Sequence, residues 1–160
     1  MSMETALDKA KSIVEDNLAA ELLVIDAETA DPNLATPAPK VFLIGNYLGR
    51  EEILASIPAV TIEARNTMLE DDEEEWQENR HTLWVWAFVA EVKIDVLHRY
   101  MMRYGEAMRR VLTRRSNWGG GWHNIRVGNA VFTQTFEAPN RLLQGCRVEV
   151  QVSEIVKEEA

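Results

Sequence analysis

The sequence predicts an α+β fold, with two main helices packed on a mostly antiparallel β-sheet. Three observations carry this. From Met3 to Ala20, the residues Leu7, Ala10, Ile13, Val14 and Leu18 recur at helical spacing. A second helical stripe, Val96, Tyr100, Met101, Tyr104, Met108, Val111 and Leu112, runs on from Asp95 to about Arg115. Between and after these helices lie apolar runs with the two-residue period of strands, joined by short connections, an order that suits helices layered on an antiparallel sheet.

In chain order, Ser2 or Thr5 can cap the first helix. Leu22 to Ile25, a short run rich in branched residues, reads as the first strand. Asp31 to Pro39 holds Pro32, Pro37 and Pro39 among small residues, which breaks both helix and strand and predicts an exposed connection. Val41–Ile44 and Ala59–Ala64 read as strands, separated by Gly45, Gly49 and a helical turn at Arg50 to Ala55. The strongest strand signal is Thr82 to Ile94, with Trp84, Trp86, Phe88, Ala90, Val92 and Ile94 on one face and Leu83, Val85, Ala87 and Val89 on the other. One half of this strand therefore needs cover on both sides, from a helix or a neighbouring subunit, and Trp84, Trp86 and Phe88 are expected against Tyr100, Tyr104 and Met108. Asp95 is placed as the cap of the second helix. The glycines Gly119 to Gly121 form a hinge or tight turn between Trp118 and Trp122. Strands follow at Asn124–Val127, Ala130–Glu137 and Arg147–Ile155, the last alternating Val148, Val150 and Val152 with Glu149, Gln151 and Ser153.

A chain of 160 residues with 46% hydrophobic residues supports one core, and neither a repeat nor a second composition block marks another domain. Residues 1–160 are read as a single domain with flexible segments near 28–40 and 68–80. The densest apolar stretch, Leu83 to Val89, is far shorter than the roughly 20 residues a membrane helix needs. Glu4 and Asp8 stand where a signal peptide would be basic, so the protein is expected to remain where it is made. The single cysteine, Cys146, excludes an internal disulfide and a cysteine-based zinc cluster, and reads as a small core residue.

The formal charge of -9 argues against a general nucleic-acid binder, since affinity for phosphates comes mainly from cations. That charge is uneven. Seven acids lie between Glu70 and Glu78, whereas Arg99 to Arg115 holds six arginines and one acid, Glu106. The run Glu70, Asp71, Asp72, Glu73, Glu74, Glu75 lacks the alternation and central glycine of a calcium loop, and its mutual repulsion predicts a solvated, mobile loop. Trp76 beside it is a candidate anchor for another subunit. Arg110, Arg114 and Arg115 complement the helix dipole and are also candidates for intersubunit contact. His81, His98 and His123 sit in separate elements, the glycine cluster lacks the Lys-Ser/Thr of a phosphate loop, and no GxSxG elbow occurs, so no catalytic, cofactor or metal residue is assigned.

Three stretches carry a family resemblance. These are the helix Thr5 to Ala20, the strand HTLWVWAFVAEVKI at His81 to Ile94 running into the helix through Arg115, and the ending NIRVGNAVFTQTFEAPNRLLQGCRVEVQVSEI. In order and texture the chain resembles the tail terminator and neck (head-tail joining, tail completion) proteins of long-tailed bacteriophages. The resemblance implies a virion subunit without an active site or cofactor, assembled in the host cytoplasm. It implies a self-assembled ring, commonly hexameric, that caps the tail tube and joins it to the head connector, with genomic DNA passing through the lumen unbound. The acidic run and Trp76 would then face a neighbour or the lumen. Two other classes stay open: an intracellular adaptor or chaperone-like interaction domain, monomeric or dimeric, and an enzyme with an unrecognised site.

Overall fold

The computed structural model describes residues 2–50, 53, 55–71 and 76–157. The chain folds as α1 (Met3–Glu28), β1 (Val41–Ile44), β2 (Ala59–Asp71), β3 (Trp76–Glu91), α2 (Ile94–Thr113), the short α3 (Arg115–Trp118), β4 (Asn124–Phe132), β5 (Phe136–Ala138) and β6 (Arg141–Lys157). The described strands form one sheet in the order β1-β2-β3-β6-β4, with β5 paired to β6; among them only β1 and β2 run parallel. The chain is thus an α+β protein whose two main helices pack on a mostly antiparallel sheet.

Ser2 caps α1, its Oγ accepting from the Thr5 N–H at 3.2 Å. The helix continues through Leu22 to Ile25, which the sequence placed in a strand. The reason is tertiary: Leu18, Leu22 and Ile25 extend one buried stripe, while Asp26 is bound by Arg103 of α2 and Glu21 by Arg114 at its C-cap. A branched run is ambiguous by itself, and packing decides it.

Helix α2 lies antiparallel to α1, since Arg114 meets Glu21 at one end and Arg103 meets Asp26 at the other. Its N-cap is Lys93, without a side-chain cap bond; Asp95 sits in the first turn, where its charge suits the helix dipole. Strand β3 stops at Glu91, and Val92 and Ile94, expected to continue it, are exposed. At Gly105 α2 comes close to the sheet, where an added Cβ would stand 2.8 Å from the Ala130 Cβ and 3.2 Å from the Cys146 Sγ.

The two faces of β3 hold separate cores. Leu83, Val85, Ala87 and Val89 join Val60, Ile62, Val148, Val150 and Val152 beneath the helices. Trp86 and Phe88 point the other way, into a smaller cluster with Ile53, Ile57 and Ala59, at whose margin Trp84 packs. The expected packing of Trp84, Trp86 and Phe88 on Tyr100, Tyr104 and Met108 is therefore corrected: the branched and small side chains take the helical side, and the aromatics are covered by the chain before β2. The second cover is intramolecular.

The proline-rich connection expected to be flexible is tied to the helices. Arg103 Nη2 donates to the Asp31 carbonyl at 3.0 Å and Nη1 to the Leu34 carbonyl, and the Tyr104 hydroxyl donates to the Pro37 carbonyl at 2.5 Å. Lacking a ladder, this segment satisfies its carbonyls through side chains of α2.

Candidate functional site

The described ends of the acidic segment expected as a loop are strand. Glu70 and Asp71 close β2, paired with Glu78 and Gln77, and Trp76 opens β3, paired with Lys157 of β6. Asp72, Glu73, Glu74 and Glu75 lie outside the described residues. The pairing of the described ends with each other and with β6 could not be foreseen from one segment read alone. β2 is exposed at every residue from Ala64 to Met68, hence on both faces, whereas His81, Ser153 and Glu154 at that end of β3 and β6 are buried.

The three candidate arginines are engaged within the chain. Arg110 grips Glu28 with both terminal nitrogens, at 3.2 and 2.8 Å, and its Nε donates to Glu106 at 3.0 Å. The hydrogen bond from Arg110 holds the Glu28 carboxyl below the usual carboxylate range. Arg114 is bonded to Glu21, and Arg115 donates to the Trp122 carbonyl at 2.8 Å. Their geometry fastens α2 to α1 and to the following turn. That turn has positive φ at Gly119 (76°) and Gly121 (95°), which brings Trp118 and Trp122 edge to face with centroids 5.9 Å apart.

Sequence reasoning missed a group on the outer face of the sheet. The guanidiniums of Arg65 and Arg147 each lie 3.8 Å from the centroid of the Trp84 ring, and the Trp84 Nε1 donates to Glu149 Oε1 at 3.2 Å. Trp86 stands edge-on to Trp84 at 6.2 Å and stacks on Phe88 at 5.6 Å. Arg147 precedes the alternation of β6, so its face was readable; that Trp84 and Arg65 lie beside it depends on register. Along the same face, Leu48, Ile53, Phe88, Phe136 and Leu143 line an apolar cavity of about 250 Å³.

The remaining chemistry-bearing side chains are dispersed. His81 is buried, with Nδ1 2.9 Å from the Thr67 hydroxyl and Nε2 3.5 Å from Glu154 Oε1. His98 packs on Phe132, and His123 is exposed. Cys146 is enclosed beneath α2, and burial pushes its thiol up to about 12. Among the described residues no three His, Cys, Asp or Glu side chains gather as a metal site, and no helix is long and apolar enough to cross a membrane. Comparison with protein-family models and with curated proteins finds no match.

Proposed function

We propose that the chain is a tail terminator or neck subunit of a long-tailed bacteriophage, forming a ring that caps the tail tube and joins it to the head connector. The observation that carries this reading is the long ribbon of β2, β3 and β6. Its strands stay paired as far as Asp71, Trp76 and Lys157, and the sequence that joins β2 to β3 is the densest run of charge in the chain. A charged, hydrogen-bonded ribbon end suits contact with another subunit or with a channel, and the resemblance of the chain to this family agrees with it. The helices and the second core close without a partner, so a protomer can fold first and assemble afterwards.

In this reading the acidic residues and Trp76 meet a neighbour or face the lumen, whereas Arg110, Arg114 and Arg115 stabilise the protomer. The ribbon end gives no phosphate-binding function to its acids, and DNA would pass without adhering. Electron microscopy of the purified protein, alone and with isolated tail tubes, tests the proposal. Closed rings that seat on tube ends are expected; particles without rotational symmetry that ignore the tubes would overturn it. The apolar cavity at Leu48, Phe88 and Phe136 favours a second reading, an adaptor domain that takes an apolar side chain of a partner. That protein would stay monomeric or dimeric at every concentration.

A further inference from the structure

The solvent face of α1 changes character along its length. Asp8, Ser12, Asp16, Ala20, Leu23 and Ala27 recur at three- to four-residue spacing, and all are exposed. The N-terminal half of the helix is acidic, with Glu4, Asp8, Glu15 and Asp16 against Lys9 and Lys11, and Lys11 is held by Glu15 at 3.1 Å. The C-terminal half is apolar on its outer side, where Leu23 is 69% exposed and Val24 47%. An apolar patch left open beside acids marks a contact surface.

The outer sheet face, on the other side of the molecule, shows a complementary order. Val148, Val150 and Val152 of β6 point into the main core, so residues 143, 145, 147, 149 and 151 point outward. At one end of this row Leu143 and Gly145 line the cavity of about 250 Å³, with Leu48 and Phe136 exposed at its mouth. Arg147 follows, stacked on Trp84, and then Gln151, whose register partner on β4 is the exposed Arg126. Arg65 keeps Glu63 at 3.5 Å, and Glu149 keeps the Trp84 indole. Arg126 and Arg147 have no carboxylate at ion-pair distance among the described residues.

Both faces run from charge to apolar surface in the same direction. Helix α2 passes Cys146 at Gly105 and reaches the Gly128 carbonyl, beside Glu149, at Arg109, so it advances towards the Ser153 end of β6. Helix α1 runs the opposite way, which sets its acids towards that end and Leu23 towards the cavity end. The spacings agree as well. From Leu23 back to Asp16 and Asp8 is about 11 and about 23 Å at 1.5 Å per helical residue. From Leu143 to Arg147 and Gln151 is about 13 and about 26 Å at 3.3 Å per strand residue, differences that arginine side chains span. We propose that the solvent face of α1 of one copy packs on the outer sheet face of the next, with Leu23 in the cavity, Asp16 at Arg147 and Asp8 at Arg126. The two surfaces differ, so the contact is head-to-tail and closes a ring or extends a filament. This inference rests on the ring reading and gives it a contact besides the ribbon end.

The test is oxidative crosslinking of the full chain carrying Leu23→Cys and Phe136→Cys, two exposed sites, with the native Cys146 buried. The two sites lie on opposite faces of one protomer, so a bond between them joins two copies. A ladder of covalent oligomers is expected, and neither single variant should give it. Light scattering at rising concentration supplies a second readout. Leu23→Asp should assemble about tenfold or more weakly than the parent, because a buried leucine is exchanged for a charge. Asp8→Arg and Arg126→Glu should each weaken assembly, and the two combined in one chain should restore it. A parent that assembles while the ladder is absent, or a Leu23→Asp protein that assembles like the parent, would overturn the contact and leave the ring reading standing. A parent that never assembles would remove both. A covalent dimer from Leu23→Cys alone, without the ladder, would show a two-fold contact between α1 helices and overturn the head-to-tail one.

Discussion

Arg103 of α2 donates to Asp26 of α1 at 2.8 Å, and both side chains are buried. Around them Thr36 donates to the same carboxylate through its hydroxyl at 2.6 Å and its N–H at 3.0 Å, while Arg103 also takes the Thr29 hydroxyl at 2.9 Å. One ion pair therefore fixes the helix pair and the connection that leaves it. Because removing one partner leaves the other charge buried, Arg103→Ala or Asp26→Ala should cost about 3 to 5 kcal/mol in urea unfolding. The double variant Asp26→Leu with Arg103→Met should cost clearly less than the sum of the two. Additive losses would show that the residues act separately.

Gly105 sets the distance between α2 and the sheet. An alanine there would meet Ala130 at 2.8 Å and Cys146 at 3.2 Å, so Gly105→Ala should destabilise by about 1 to 3 kcal/mol despite its better helix propensity. Adding Ala130→Gly should return part of the loss. A more stable Gly105→Ala protein would mean that the helix sits further out.

Trp86 is buried against Phe88 and Ile57 rather than against α2. Trp86→Ala should still cost about 3 to 5 kcal/mol, through lost transfer energy and a cavity. A loss below about 1 kcal/mol, measured by denaturant titration, would show that the second cluster contributes no core.

Alkali should unfold the protein. Burial raises the Cys146 thiol from 9.0 to about 12 and raises the Tyr104 hydroxyl as well. Above about pH 9 the unfolded chain releases protons that the folded chain keeps, so the unfolded state binds fewer and stability falls with rising pH. The melting temperature should hold steady up to about pH 9 and decline above it, and Cys146→Ala should flatten the early part of that decline. A thiol reagent should leave Cys146 untouched at neutral pH until the protein unfolds.

The fold was legible wherever a pattern was long. The stripe from Tyr100 to Leu112 and the alternation from Val148 to Val152 each repeat often enough to fix element and face. Leu22 to Ile25 was too short, and its helical state comes from Arg103 and Arg114, some eighty to ninety residues away in sequence. The arginine cluster Arg110 to Arg115 was visible as charge, but Glu21 and Glu28 lie in a helix whose partnership with α2 is a tertiary fact. Which face of β3 meets the helices was equally closed to composition, since both faces are apolar. Arg65, Trp84 and Arg147 come from three strands and meet only through register, which no local pattern carries.

The central claim is that the folded chain assembles into a closed ring through its ribbon end, and a native mass measurement at rising concentration tests it most directly. The account predicts one dominant closed species of about six times the 18.2 kDa protomer. That species should disappear when Asp72, Glu73, Glu74 and Glu75 are replaced by serine and glycine, with the protomer's melting temperature unchanged. A single 18.2 kDa species at every concentration, or an assembly indifferent to that replacement, would contradict it.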